Sequence, residues 1–118
     1  MRLDHLQIAI PAGGEPGARA FWTGPVGMRE TPKPAALAGR GGLWLVAGEV
    51  ELHLGVDPGF RPAAKAHPGF AVPDLDALAE RLEAAGHPPR WDDAIAGRRR
   101  FFCDDPFGNR LEFLEGRA

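Results

Sequence analysis

Apolar and polar residues alternate in "LDHLQIAIP" near the N-terminus, with Leu6, Ile8 and Ile10 on one side and His5, Gln7 and Ala9 on the other. A period of two predicts a half-buried strand. In "EPGARAFWTGP" the period lengthens to that of a short helix: Pro16 suits the first turn, Ala18, Phe21 and Trp22 form the apolar side, and Gly24 and Pro25 end it. "GGLWLVAGEVELHLGV" reads as a hairpin turning at Ala47 and Gly48. A two-residue turn there pairs Leu45 with Val50 and Leu43 with Leu52, and sets Trp44 beside Glu51 on the opposite face. "DPGFRPAAK" follows as a connector.

The same plan then returns. "AHPGFAVP" gives a strand with Pro68, Phe70 and Val72 on one face and His67, Gly69 and Ala71 on the other, with Pro68 at its start or at a sheet edge. "DLDALAERLEAAG" predicts a helix with Asp74 as N-cap, Leu75, Leu78 and Leu82 as its apolar stripe, and Gly86 as its stop. "RRRFFCDDPFGNRLEFLE" closes as a second hairpin. A five-residue loop from Asp105 to Asn109 pairs Phe102 with Glu112 and keeps Phe101, Cys103, Leu111 and Phe113 together on one face. When one half is laid on the other, His5 meets His67 and Glu51 meets Glu112, all four on the strand face turned away from the helix. One strand, one helix and about three further strands per half predict an α+β fold. Two β-α-β-β-β modules form a curved mixed sheet, a cup, with helices on the convex side and these four residues inside.

Composition narrows the partners. With 118 residues and 44% apolar side chains, the chain can bury a core of its own. A formal charge of -2 gives no reason to expect nucleic acid. The longest apolar run, "LWLVA", is far short of the roughly 20 residues of a membrane helix, and Asp4 and His5 stand where a signal peptide would be apolar. The expectation is a soluble, cytoplasmic protein without a membrane partner. Cys103 is the lone cysteine and has no C-x-x-C neighbour, so it reads as a small buried hydrophobe.

These stretches, above all "LDHLQIAIP", "VELHLGV" and "DPFGNRLEFLE", resemble the vicinal oxygen chelate superfamily, which includes glyoxalase I, bleomycin-resistance proteins, extradiol dioxygenases, methylmalonyl-CoA epimerase and fosfomycin-resistance enzymes. The resemblance covers nearly the whole chain and implies one glyoxalase-like domain, with a first module over about 1–57, a connector over about 58–65 and a second module over about 66–118. It implies the fold more strongly than any one activity. In metal-using members, the first strand of each module supplies a histidine and the last a carboxylate, which carries over to His5, Glu51, His67 and Glu112. Two imidazoles and two carboxylates suit a divalent ion, whether Zn, Ni, Co, Mn or Fe, with positions left for water or substrate oxygens.

His53 lies two residues past Glu51 on the same face, where it could replace Glu51 as ligand or serve in proton transfer. Trp44 and Phe102 supply aromatic wall for a substrate, and Arg100 brings a positive charge suited to a small organic anion. Departures from named relatives bear on activity. The chain has no tyrosine, which weighs against the extradiol dioxygenases, and Ala9 and Gly55 stand where bacterial-type glyoxalase I carries an arginine and an asparagine for glutathione. The resemblance implies a metal-dependent lyase or isomerase of a small oxygenated compound, in which Glu51 or Glu112 moves a proton and the metal stabilises the developing charge. The alternative is a metal-free protein that sequesters a small molecule, as bleomycin-resistance proteins do. Short chains of this superfamily commonly pair, so a homodimer is expected.

Overall fold

In a computed structural model, residues 1–116 are described, and they form two units that divide between Arg61 and Pro62. The first contains β1 (Leu6–Ile10), α1 (Glu15–Trp22), β2 (Arg29–Thr31), a 3-10 turn over Ala35–Arg40, β3 (Leu43–Ala47) and β4 (Val50–Val56). The second contains β5 (Gly69–Val72), α2 (Leu75–Ala84), β6 (Arg90–Asp92), β7 (Arg100–Asp104) and β8 (Arg110–Glu115). Each unit is a β-α-β-β-β module with a four-stranded mixed sheet, ordered β1-β4-β3-β2 in one and β5-β8-β7-β6 in the other. The first strand of each module runs parallel to the last, and the remaining pairs are antiparallel.

The two faces of each sheet divide as the alternation predicts. In the first module Leu43, Leu45, Leu52 and Leu54 share one face and are buried, as are Ala18, Phe21 and Trp22 of α1. In the second, Phe101, Cys103, Leu111 and Phe113 share a face and are buried, together with Leu75, Leu78 and Leu82 of α2. Exposed ion pairs join each helix to its module: Arg19 meets Glu30 of β2 at 2.7 Å, and Asp76 receives two hydrogen bonds, at 2.8 and 2.9 Å, from Arg99, the residue before β7. Asp74 caps α2 by accepting from the Ala77 N–H, as its place before "LDAL" predicts.

The first hairpin has a different register from the one expected. Leu45 pairs with Leu52 and Trp44 with His53, because the turn is Gly48–Glu49 rather than Ala47–Gly48. Gly48 takes φ +56° and no other residue type among those described has positive φ, so glycine must occupy the first central position of the turn. The slip is two residues, so every side chain keeps its face. The second hairpin has the expected register, with Phe102 opposite Glu112 and Cys103 opposite Leu111. Its loop is pinned by Asp105, whose buried carboxylate accepts N–H bonds from Phe107 and Asn109 at 2.9 and 2.8 Å and an amide bond from the Asn109 side chain at 2.8 Å. Strands β2 and β6, three residues each, are too short to show a period in the sequence.

Candidate functional site

Register decides which residues meet on the polar face of each sheet. In the first module His53 lies between Gln7 of β1 and Trp44 of β3, and in the second Glu112 lies between Gly69 of β5 and Phe102 of β7. Gln7 and Gly69 stand at the same distance after His5 and His67, so the histidine match holds in the ladder. The glutamate match does not: the rung that Glu112 occupies in the second module belongs to His53 in the first, and Glu51 lies two residues before it. The sequence alone aligned two glutamates that the sheets place one pleat apart.

The second module gathers His67, Glu112, Arg100 and Phe102. His67 Nε2 is 2.9 Å from Glu112 Oε1, and Arg100 donates to Glu112 Oε2 and to Asp92 Oδ1, each at 3.1 Å. Burial by itself would raise the Glu112 pKa, but the hydrogen bonds from His67 and Arg100 outweigh it and hold the carboxyl below its ordinary value. Glu112 is therefore ionised at neutral pH. The other ring nitrogen of His67, Nδ1, lies 3.0 Å from the carbonyl oxygen of Lys65. A carbonyl can only accept, so Nδ1 carries a proton; the ionised Glu112 can likewise only accept, so Nε2 donates to it here and would release that proton to a bound metal ion. A backbone carbonyl that fixes the tautomer in this way is the usual outer support of a metal-binding histidine.

The fit to a metal can be judged on these atoms. Two ligand atoms each about 2.1 Å from a divalent ion and at roughly a right angle are about 3 Å apart, close to the 2.9 Å between His67 Nε2 and Glu112 Oε1. One imidazole nitrogen and one ionised carboxylate oxygen, converging and only 24% and 12% exposed as side chains, match the donor set expected of this face. They are two donors. Among the described residues no group of three or more His, Cys, Asp or Glu is gathered so as to hold a metal ion.

The first module brings together His5, His53 and Trp44 in a different manner. The rings of His5 and His53 stack with centroids 4.2 Å apart, and those of His53 and Trp44 with centroids 4.0 Å apart. Stacked rings oppose their faces, so their nitrogens lie in parallel planes instead of converging on one point. Burial lowers the His53 pKa, and the neighbouring His5 lowers it further, so this imidazole stays neutral. His5 itself is bonded to Asp4 at 2.8 Å and is 43% exposed as a side chain. Glu51 is 51% exposed, and its carboxylate is 3.8 Å from His53 Nε2, beyond a hydrogen bond.

Two neighbours were absent from the sequence reading. Asp92 holds the far side of Arg100, and it went unseen because β6 is too short to be read. Arg110 places its guanidinium 4.3 Å from the centre of the Phe102 ring. It stands two residues before Glu112, so strand parity alone puts it on the same face. Cys103 is buried as expected, and that burial pushes its thiol up to about 11.

Two modules of this topology, each with a histidine entering its first strand and a polar residue at the centre of its last, define a glyoxalase-like fold. The chain belongs to the Glyoxalase/Bleomycin resistance protein/Dioxygenase superfamily, whose family model matches residues 2–113. It is 44% identical to a protein of Bacillus anthracis assigned to the glyoxalase family, with a TM-score of 0.94 over 99% of this chain and 96% of that one. Lactoylglutathione lyase from Agrobacterium tumefaciens shares the fold at 22% identity and a TM-score of 0.69, over 94% of this chain and 92% of that one. So does an E126Q mutant of the fosfomycin resistance protein FosX of Listeria monocytogenes, complexed with Mn(II) and 1S,2S-dihydroxypropylphosphonic acid, at 15% identity and a TM-score of 0.79 over 99% and 91%. No curated protein matches the sequence. No helix among the described residues is long and apolar enough to cross a membrane.

Proposed function

We propose that the protein is a glyoxalase-like, metal-dependent lyase or isomerase acting on a small oxygenated organic compound. The observation that carries this reading is the His67–Glu112 pair: an imidazole whose tautomer is fixed by the Lys65 carbonyl, 2.9 Å from an ionised carboxylate. His67 and Glu112 would hold the ion, and the resemblance adds His5 and Glu51, or His53 in place of Glu51, with a second copy of the chain as homodimer partner. A divalent ion there would supply positive charge against an oxyanion developing on the substrate.

The chain's own residues do the rest. Glu112 is ionised and can take a proton from a substrate carbon, while Arg100 holds its second oxygen and keeps the carboxylate oriented. Phe102, covered by both arginines, gives the substrate an apolar wall. His53, neutral beneath its stack, is available as a proton carrier in the first module. The Trp44–His53–His5 stack also favours a second reading, a metal-free protein that holds a flat molecule against aromatic rings.

The test is proton exchange. Tag-free protein reloaded with Zn, Ni, Co or Mn and desalted is incubated in D2O with a panel of small α-hydroxy carbonyl compounds, and deuterium at carbon is followed by NMR. Metal-dependent incorporation that disappears in Glu112→Gln is the expected result. Protein that retains no metal, or that shows no metal-dependent incorporation, overturns the enzyme reading and leaves the binding protein, whereas incorporation unchanged by Glu112→Gln rejects Glu112 as the base.

A further inference from the structure

Arg110 is the charge on the second module's polar face that has no carboxylate of its own. Three arginines and three carboxylates lie on that face. Arg90 pairs with Asp104 at 3.0 Å, and Arg100 spans both Asp92 and Glu112 at 3.1 Å. Asp104, the residue directly opposite Arg110 in the ladder, is thus already taken by Arg90. Among the described residues no carboxylate lies within ion-pair distance of Arg110, whose guanidinium sits over the Phe102 ring, 4.3 Å from its centre. The same ring receives Arg100 at 5.0 Å and the edge of His67 at 5.5 Å, so Arg110, Arg100 and His67 surround one aromatic side chain. Arg110 is half-buried, and its charge is felt at Asp92.

We propose that Arg110 anchors an oxyanion group of the substrate, a carboxylate or a phosph(on)ate, and that the substrate is therefore a small anion. The inference rests on the reading above that this face is the site. Arg100 was the sequence's candidate for that task, but its guanidinium is engaged by two carboxylates. The Arg110 guanidinium sits over the Phe102 ring and makes no ion pair with a described carboxylate, and its planar fork matches two oxygens of a carboxylate or phosphate at once. A metal bound at Glu112 would add further positive charge nearby, so the preference for an anion would increase when the ion is present.

The test reads the arginine side chains directly and needs no metal. Nε–H resonances of the metal-free protein are followed by NMR at constant ionic strength during titration with inorganic phosphate, with propionate, and with propionamide as the uncharged control. The proposal predicts a saturable shift of the Arg110 resonance with at least one anion and none with propionamide. Phosphate acting alone would identify a phosph(on)ate substrate, and propionate acting would identify a carboxylate. Arg110→Met should weaken that anion's binding, followed on the backbone amides of Phe102 and Glu112, by about tenfold or more, and Arg110→Lys should retain part of it. If all arginines drift together without saturation, or Arg100 alone saturates, the proposal is overturned. Metal content measured on the same preparation separates the two ideas: metal uptake with an unresponsive Arg110 rejects only this inference, whereas a responsive Arg110 without metal uptake rejects only the metal-dependent reading.

Discussion

The two modules share one topology and differ at one rung. Where the second has Glu112 between Gly69 and Phe102, the first has His53 between Gln7 and Trp44. The carboxylate draws His67 and Arg100 into a network of charge-assisted bonds, while the imidazole is enclosed in a stack of rings. The same fold therefore presents a polar, converging pair of donors in one half and a neutral aromatic surface in the other. A repeated histidine alone does not make a repeated site; the residue on the rung beside it decides the chemistry.

The largest difference should appear in metal affinity. His67→Ala removes one of two converging donors and should lower metal affinity by at least about a hundredfold, given that even supporting residues around a metal cost 10–100-fold when removed. Isothermal titration with Zn or Mn would measure this, and an unchanged melting temperature would show that the ring lies on the polar face and not in the core. His5→Ala, acting on an exposed and stacked ring, should cost less than His67→Ala. An equal loss would erase the distinction between the modules.

Next come the two glutamates as elements of stability. Glu112→Ala leaves His67 and Arg100 without their shared acceptor, and should cost about 1–3 kcal/mol in denaturant unfolding of the metal-free protein. Glu51→Ala, at an exposed carboxylate with no hydrogen bond to His53, should change stability by no more than about 0.5 kcal/mol. Asp74→Ala falls between them, at about 1 kcal/mol for a lost N-cap.

Acid should separate the modules by where their contributions are lost. His53 has a folded pKa below its ordinary 6.5 and Glu112 one below its ordinary 4.5. In both cases the unfolded chain binds more protons across the interval, so stability rises with pH and is lost as pH falls. The first module's loss begins as pH drops through 6.5 and the second's as it drops through 4.5. Urea unfolding of metal-free protein at a series of pH values should show the upper window shrink in His53→Asn and the lower one in Glu112→Gln. This is expected to be the smallest effect, because burial and the hydrogen bonds to Glu112 shift its pKa in opposite directions, and the charge of Glu51 partly offsets the lowering at His53.

Much of this was legible in the sequence because alternation and turn chemistry are local. The face assignments of β1, β3, β4, β7 and β8 follow from period two, and Asp74, Gly86 and the Asp105–Asn109 loop mark their own places. The first hairpin's register was less legible, since "AGE" admits two turns and only the positive φ of Gly48 chooses between them. That two-residue slip moved Trp44 from Glu51 to His53 and so determined the composition of the first module's polar face. Asp92 was hidden for a different reason, because a three-residue edge strand carries no period. The tautomer of His67 depends on the Lys65 backbone oxygen, an atom that every residue possesses and no sequence pattern reveals.

The proposed metal site stands on whether His67, beside Glu112, takes up a metal ion before the stacked His5 and His53 do. The most direct test is the ring nitrogens themselves, observed by NMR in protein labelled with 15N at histidine while Zn is added. The account predicts that metal-free His67 is protonated at Nδ1, and that Zn shifts its Nε2 resonance strongly while His53 remains neutral and nearly unmoved. A His67 ring that ignores Zn, or a shift confined to His5 and His53, would contradict it.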